Sequence, residues 1–168
     1  MTKAEVRAIT LSALAPHRGA TLWDIGSGCG SIGVEWLRLA RDGVAIGIEP
    51  VAARRDMARR NALTLGAPRL ELIDGRAPEA LVGLPEPDAI FIGGGLSAEV
   101  IDAARTALPA HGRMVANAVT LESEAVLLAA HAMLGGTLMR LSIARADAVG
   151  PYHGWRPNMP VTQWVFRP

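Results

Sequence analysis

Cysteine is nearly absent from this chain: Cys29 is the only one in 168 residues, so no intramolecular disulfide can form and no cysteine cluster can hold a metal. Lysine is as scarce, since Lys3 is the one lysine among 17 basic residues and all the others are arginine. Long apolar runs are missing too. A stretch such as residues 125–130 falls far short of the ~20 residues that cross a bilayer, and no signal-peptide core stands near the amino terminus. A soluble, cytoplasmic protein with no membrane partner is expected. A formal net charge of +1 gives no global attraction to nucleic acid. His17, His111, His131 and His153 form no i, i+4 pair and have no partner acid in sequence, so they read as surface or loop residues and no metal site is expected.

What is present is a hydrophobic chain the size of one domain, 1–168, with 50% apolar residues, enough to bury a full core. Helical spacing runs over 6–14, 31–41, 51–65, 98–108 and 122–134, with a short helix at 78–82. Apolar strands are expected at 20–25, 44–50, 69–74, 88–93, 113–119, 137–146 and 161–167. On helix 51–65, Arg54, Arg55, Arg59 and Arg60 read as a basic outer face. Alternation of strand and helix implies a parallel sheet with helices on both faces. The last two strands have no helix between them and should pair antiparallel. Trp23, Trp36 and Trp164 read as core, whereas Trp155 sits in a Gly- and Pro-rich segment, 151–160, expected to be a flexible loop over the cleft.

Ligands of open α/β sheets bind beyond the carboxyl ends of the strands. The first strand runs into "LWDIGSGCGSIG" (22–33), which holds two glycine registers: Gly26, Gly28, Gly30 and, shifted by two, Gly28, Gly30, Gly33. The second register is a dinucleotide spacing; the first, preceded by Asp24, suits S-adenosylmethionine. A carboxylate at Asp24 would repel a pyrophosphate but attract, directly or through water, an ammonium or sulfonium. Glu49 ends the second strand, where it either accepts ribose hydroxyls or is a solvated acid. Asp74, Gly75 and Ala77 follow the third, where Asp74 either holds an adenine edge or caps the next helix. Together the three acids point to an adenosine-bearing cation, with Ser27 and Cys29 as small residues of the loop and Gly33 as a packing glycine. Gly33→Ala should then harm folding, and Gly28→Ala cofactor binding first.

Gly93, Gly94, Gly95 and Leu96 end the fourth strand without acceptor side chains and leave room for a bulky substrate. Asn117 and Thr120 follow the fifth and can line the same cleft, although Thr120 also suits a helix cap. Arg145 and Arg156 flank the segment of Trp155 and can receive acidic groups or be solvated. Arginine excess fits either genome composition or bidentate capture of carboxylates and phosphates, and composition does not separate the two.

"TKAEVRA", "DIGSGCGSIGVEW", "DGRAPEAL", "DAIFIGGG" and "LSIARADAVG" followed by "PVTQWVF" span nearly the whole chain. In these segments the chain resembles the precorrin-6 methyltransferase family of corrin biosynthesis, specifically the decarboxylating C(15) methylase. The resemblance implies a Rossmann-like class I S-adenosylmethionine-dependent methyltransferase: a seven-stranded, mostly parallel sheet with an antiparallel final hairpin. It implies cofactor contacts at Thr2, at 26–30, at Glu49 and at Ala77, with S-adenosylhomocysteine as product. It further implies a carboxylate-rich tetrapyrrole substrate, a homotetramer, and a domain that occurs alone or fused behind a C(5) methylase. No residue is assigned as catalytic acid or base. Methylation of RNA or protein, and an NAD-binding domain using the shifted register, are the competing readings.

Overall fold

Apolar runs too short for helices, interrupted by glycines, become the strands of the sheet, and the amphipathic stretches between them become its covering helices. The computed structural model describes residues 3–168; Thr2 lies outside them. In chain order the elements are α1 (Ala4–Leu14), β1 (Thr21–Ile25), α2 (Ser31–Leu39), β2 (Val44–Ile48), α3 (Ala52–Thr64) and β3 (Glu71–Ile73). A single 3-10 turn (Glu79–Leu81) precedes β4 (Ala89–Ile92), α4 (Ala98–Ala107), β5 (Arg113–Ala118) and α5 (Leu121–Leu134). The chain then forms β6 (Thr137–Leu141), β7 (Ala144–Val149), β8 (Tyr152–Pro157) and β9 (Val161–Phe166).

Seven strands make one sheet in the order β3-β2-β1-β4-β5-β9-β6, parallel except for β9, which is antiparallel to both neighbours. Strand pleat divides its side chains. Trp23, Ile25, Ile90, Ile92, Met114 and Ala116 pack with Val100, Ile101 and Leu127 of α4 and α5. Leu22, Ala89, Phe91 and Val115 pack on the other face with Leu14, Ile32, Trp36 and Ala58 of α1, α2 and α3. Order reverses between β1 and β4, which places a crevice at their carboxyl ends.

Ser97 and Thr120 cap α4 and α5, their hydroxyls accepting from the Val100 and Ser123 N–H groups, so Thr120 serves the helix. Four expectations need correction. The stretch 137–146 is not one strand: it breaks after Leu141, and β7 pairs with β8 in a separate two-stranded hairpin. The segment of Trp155 is therefore strand rather than flexible loop, because Gly150 at φ +58° turns the chain back on itself. Arg55 does not belong to the solvated face of α3; it is buried and ion-paired with Asp74 at the end of β3. Finally, His17 and His111 do have an acid nearby: their Nε2 atoms lie 4.0 and 3.3 Å from Asp88 Oδ1, at the sheet end opposite the crevice.

Candidate active site

The loop after β1 turns by placing Gly26, Gly28 and Gly30 at φ +69°, +57° and +76°, a region that side chains with a Cβ disfavour. Closeness matters as much as turn geometry at Gly26, where a Cβ would sit 2.6 Å from the Gly94 nitrogen. The β1 and β4 loops thus touch backbone to backbone, and the crevice floor between them is glycine. Gly33 is different. It lies within α2, and a Cβ there would meet Leu70 Cδ1 at 2.7 Å and Asp24 Oδ2 at 3.4 Å, so it is a packing glycine between helix and sheet.

Asp24 shares the strand face of Leu22 and points under the loop toward α2. Its Oδ2 accepts the Gly33 N–H at 3.0 Å, and Oδ1 is buried without a partner. Burial pushes its carboxyl up to about 7; the Gly33 N–H opposes the shift and the charge of Glu49 adds to it. Asp24 therefore supports the loop from beneath and does not line the crevice.

Glu49 does line it. The carboxylate is 2% exposed, with Oε2 accepting the Gly28 N–H and Oε1 the Val51 N–H, each at 3.0 Å, and Arg54 Nη1 at 3.7 Å. Each carboxylate oxygen keeps a second acceptor position. Arg55 donates to the Glu49 carbonyl at 2.7 Å and to both oxygens of Asp74 at 2.8 and 2.7 Å. That bidentate pair turns the Asp74 side chain, 70% exposed, toward Arg55, and Asp74 is not part of the cleft lining. The stretch lining the crevice after β3 is Gly75, Arg76 and Ala77.

Gly26, Glu49, Pro50, Val51, Arg54 and the glycines 93–95 complete a cleft of about 400 Å³. Ser27, Gly28, Cys29 and Gly30 shape the loop without lining that cleft; the Cys29 carbonyl is held by Asn61 Nδ2 at 2.9 Å. Leu96 packs against the core instead.

A second cavity of about 380 Å³ shares Gly93 with the first and is otherwise walled by Lys3 and Val6, Phe91, Asn117 and Val119, Leu141 and Ile143, and residues 158, 159 and 161. Asn117 reaches it as expected. Its Nδ2 donates to Thr10 Oγ1 at 3.0 Å and its Oδ1 accepts from Gln163 Nε2 at 2.9 Å, tying α1 to the sheet below the cavity. Arg145, Trp155 and Arg156 line neither cavity. Arg145 pairs with Glu5, Arg156 with Asp147 at 3.0 Å, and Trp155 is 78% exposed on the hairpin. Sequence reasoning missed Lys3, Arg54, Arg76 and Asn158; Arg76 stood in plain view beside the expected Gly75. Among the described residues no group of three or more His, Cys, Asp or Glu side chains is arranged to hold a metal ion, and no helix is long and apolar enough to cross a membrane.

A family model described as the precorrin methyltransferase domain matches residues 1–167. The chain belongs to that family. A relative from Sinorhizobium, named precorrin-6Y C(5,15)-methyltransferase (decarboxylating), is 57% identical over 99% of this chain, which covers 40% of that protein. The chain thus spans about two fifths of the length of such two-site relatives. A relative from Pyrobaculum calidifontis, named "Probable cobalt-precorrin-6B C(15)-methyltransferase (decarboxylating)", is 37% identical over 90% of this chain and 80% of its own. The crystal structure of the C-terminal domain of precorrin-6Y C5,15-methyltransferase from Rhodobacter capsulatus superposes with a TM-score of 0.92 and 48% identity, covering 98% of this chain and 89% of that one. A methyltransferase from Thiobacillus denitrificans, solved with S-adenosylhomocysteine, matches with a TM-score of 0.61 and 26% identity over 69% of this chain and 48% of that one. The strand order is accordingly that of a Rossmann-like methyltransferase fold.

Proposed function

We propose that this chain is a cytoplasmic, S-adenosylmethionine-dependent enzyme domain that methylates C(15) of precorrin-6B and removes the carboxyl group of its ring C acetate, in cobalamin biosynthesis. One observation carries the reading: a cleft with a buried carboxylate and a mostly apolar cavity meet at Gly93, a residue with no side chain to separate them. Coverage supports the C(15) half, because the chain fills most of a single-function C(15) relative and two fifths of a C(5,15) one. A C(5) methylase domain is then either fused upstream or a separate partner.

The residues present fit the cofactor. A glycine floor at Gly26 and Gly94, where a Cβ on Gly26 would collide with the Gly94 backbone, lets a ligand lie against backbone. Glu49 offers its free acceptor positions to ribose hydroxyls, and Pro50, Val51 and Ala77 are small or apolar enough to flank an adenine ring. Asp24 and Asp74 hold the loops that bring these groups together; a cofactor contact at Thr2 belongs to this reading only through the family resemblance. The cofactor supplies an electrophilic methyl group.

Methyl transfer is an in-line displacement, so the protein's work is placement and exclusion of water. Phe91, Val6, Leu141 and Val161 give the second cavity an apolar wall suited to a flat macrocycle. Decarboxylation breaks the carbon–carbon bond of the acetate, releases carbon dioxide and sends the electron pair into the conjugated ring system, and a proton from solvent then completes the methyl group left on the ring. The same reading includes assembly as a homotetramer, supported by the β7–β8 hairpin, which stands apart from the main sheet with Val149, Tyr152 and Trp155 exposed.

Calorimetry with S-adenosylhomocysteine and NAD tests the cofactor half. Binding of the first and not the second is expected; the reverse would make the loop a dinucleotide site. Turnover of RNA or protein with no turnover of precorrin-6B would favour a different methyltransferase.

A further inference from the structure

We infer that Lys3 is the residue through which the second cavity recognises a carboxylate of its substrate, a role open to none of the arginines expected to fill it. The inference rests on the tetrapyrrole reading above. Among the residues walling that cavity, Lys3 alone carries a charge. Its backbone is fixed because its carbonyl accepts the Arg7 N–H at 2.9 Å as α1 begins, so the side chain starts from a defined point at the cavity rim. Among the described residues the Lys3 ammonium has no hydrogen-bonded or ion-paired partner. Glu5, the acid it acts on at a distance, is held by Arg145.

Charged neighbours elsewhere are already committed. Arg145 is taken by Glu5, Arg156 by Asp147 and Arg140 by Glu124. Asn158, which lines the same cavity, has a side-chain nitrogen that is buried without a partner, so the cavity keeps both a cation and an unspent amide. An apolar cavity with one unpaired ammonium at its rim suits a largely apolar ligand with an anionic group at its edge. A carboxylated macrocycle has that form. An exposed ammonium is strongly hydrated, so it discriminates by charge and position rather than by tight capture.

Steady-state kinetics with precorrin-6B on wild type, Lys3→Gln and Lys3→Arg test this, with S-adenosylhomocysteine calorimetry reporting an intact cofactor cleft. Lys3→Gln should raise KM for the tetrapyrrole about fivefold at unchanged kcat and unchanged S-adenosylhomocysteine affinity, the scale of an exposed ion pair. Lys3→Arg should restore most of it, and added salt should shrink the difference between wild type and Lys3→Gln. An unchanged KM in Lys3→Gln would overturn the inference. So would a loss of kcat that arginine does not rescue, which would make the lysine a proton donor instead. Absence of turnover in wild type would defeat the functional reading itself, whereas turnover indifferent to Lys3 would defeat this inference alone.

Discussion

Adding one methyl group at Gly33 separates the two jobs of the glycine-rich loop. In Gly33→Ala the new carbon would meet Leu70 Cδ1 at 2.7 Å and Asp24 Oδ2 at 3.4 Å, with Ala45 Cβ at 3.7 Å. Overpacking of this kind costs about 1–3 kcal/mol. Alanine's better helix propensity returns about 1 kcal/mol, since Gly33 lies within α2. Leu70 can give way at its tip, but it is itself buried, and the contact with Asp24 presses on the Gly33 N–H bond that holds the loop. The difference is a net loss of up to about 2 kcal/mol, and the buried Leu70 holds it toward that upper end, which for a domain of this size lowers Tm by about 4–8 °C. Gly33 lies away from the cleft lining, so S-adenosylhomocysteine affinity should change little. Thermal unfolding followed by circular dichroism, with calorimetry on the folded variant, reads both. Gly26→Ala is the contrast, because its Cβ would strike the Gly94 backbone and damage fold and binding together. A Gly33→Ala protein as stable as wild type, or one stable but unable to bind, would refute the assignment of Gly33 to packing.

Glu49→Gln leaves one of two N–H donors, Gly28 or Val51, facing an amide NH₂. A cost of about 1–3 kcal/mol follows for the mismatched contact, and S-adenosylhomocysteine affinity should fall about tenfold or more by calorimetry. Asp24 predicts a pH effect. Its carboxyl titrates at about 7 when folded against 3.8 for the ordinary group, so the native state binds the proton more tightly. The resulting stabilisation is full below the lower value and lost as pH rises through the higher one. Relative to Asp24→Asn, wild type should therefore lose thermal stability between about pH 4 and pH 7, and a flat difference across that window would contradict the burial argument.

Much of this architecture was legible because strand and helix periodicities are local. Residues 22–25 and 89–92 are apolar runs too short for a helix, and each ends in glycine. Glu49 was legible as a strand-end acid. Asp24 and Asp74 were legible as positions but not as orientations. Strand pleat sends Asp24 under the loop, and Arg55, hidden in a run of basic residues, pairs with Asp74. The β7–β8 hairpin was masked by a Gly- and Pro-rich composition that suits loops and tight turns alike. Lys3 was passed over because only folding brings the start of α1 beside β4, β5 and β9 at the second cavity.

Incubation of the protein with precorrin-6B and S-adenosylmethionine, followed by mass spectrometry of the tetrapyrrole, tests the central claim most directly. The product should have gained one methyl group and lost one carbon dioxide. Recovery of unaltered precorrin-6B, under conditions where the protein binds S-adenosylhomocysteine, would contradict the account.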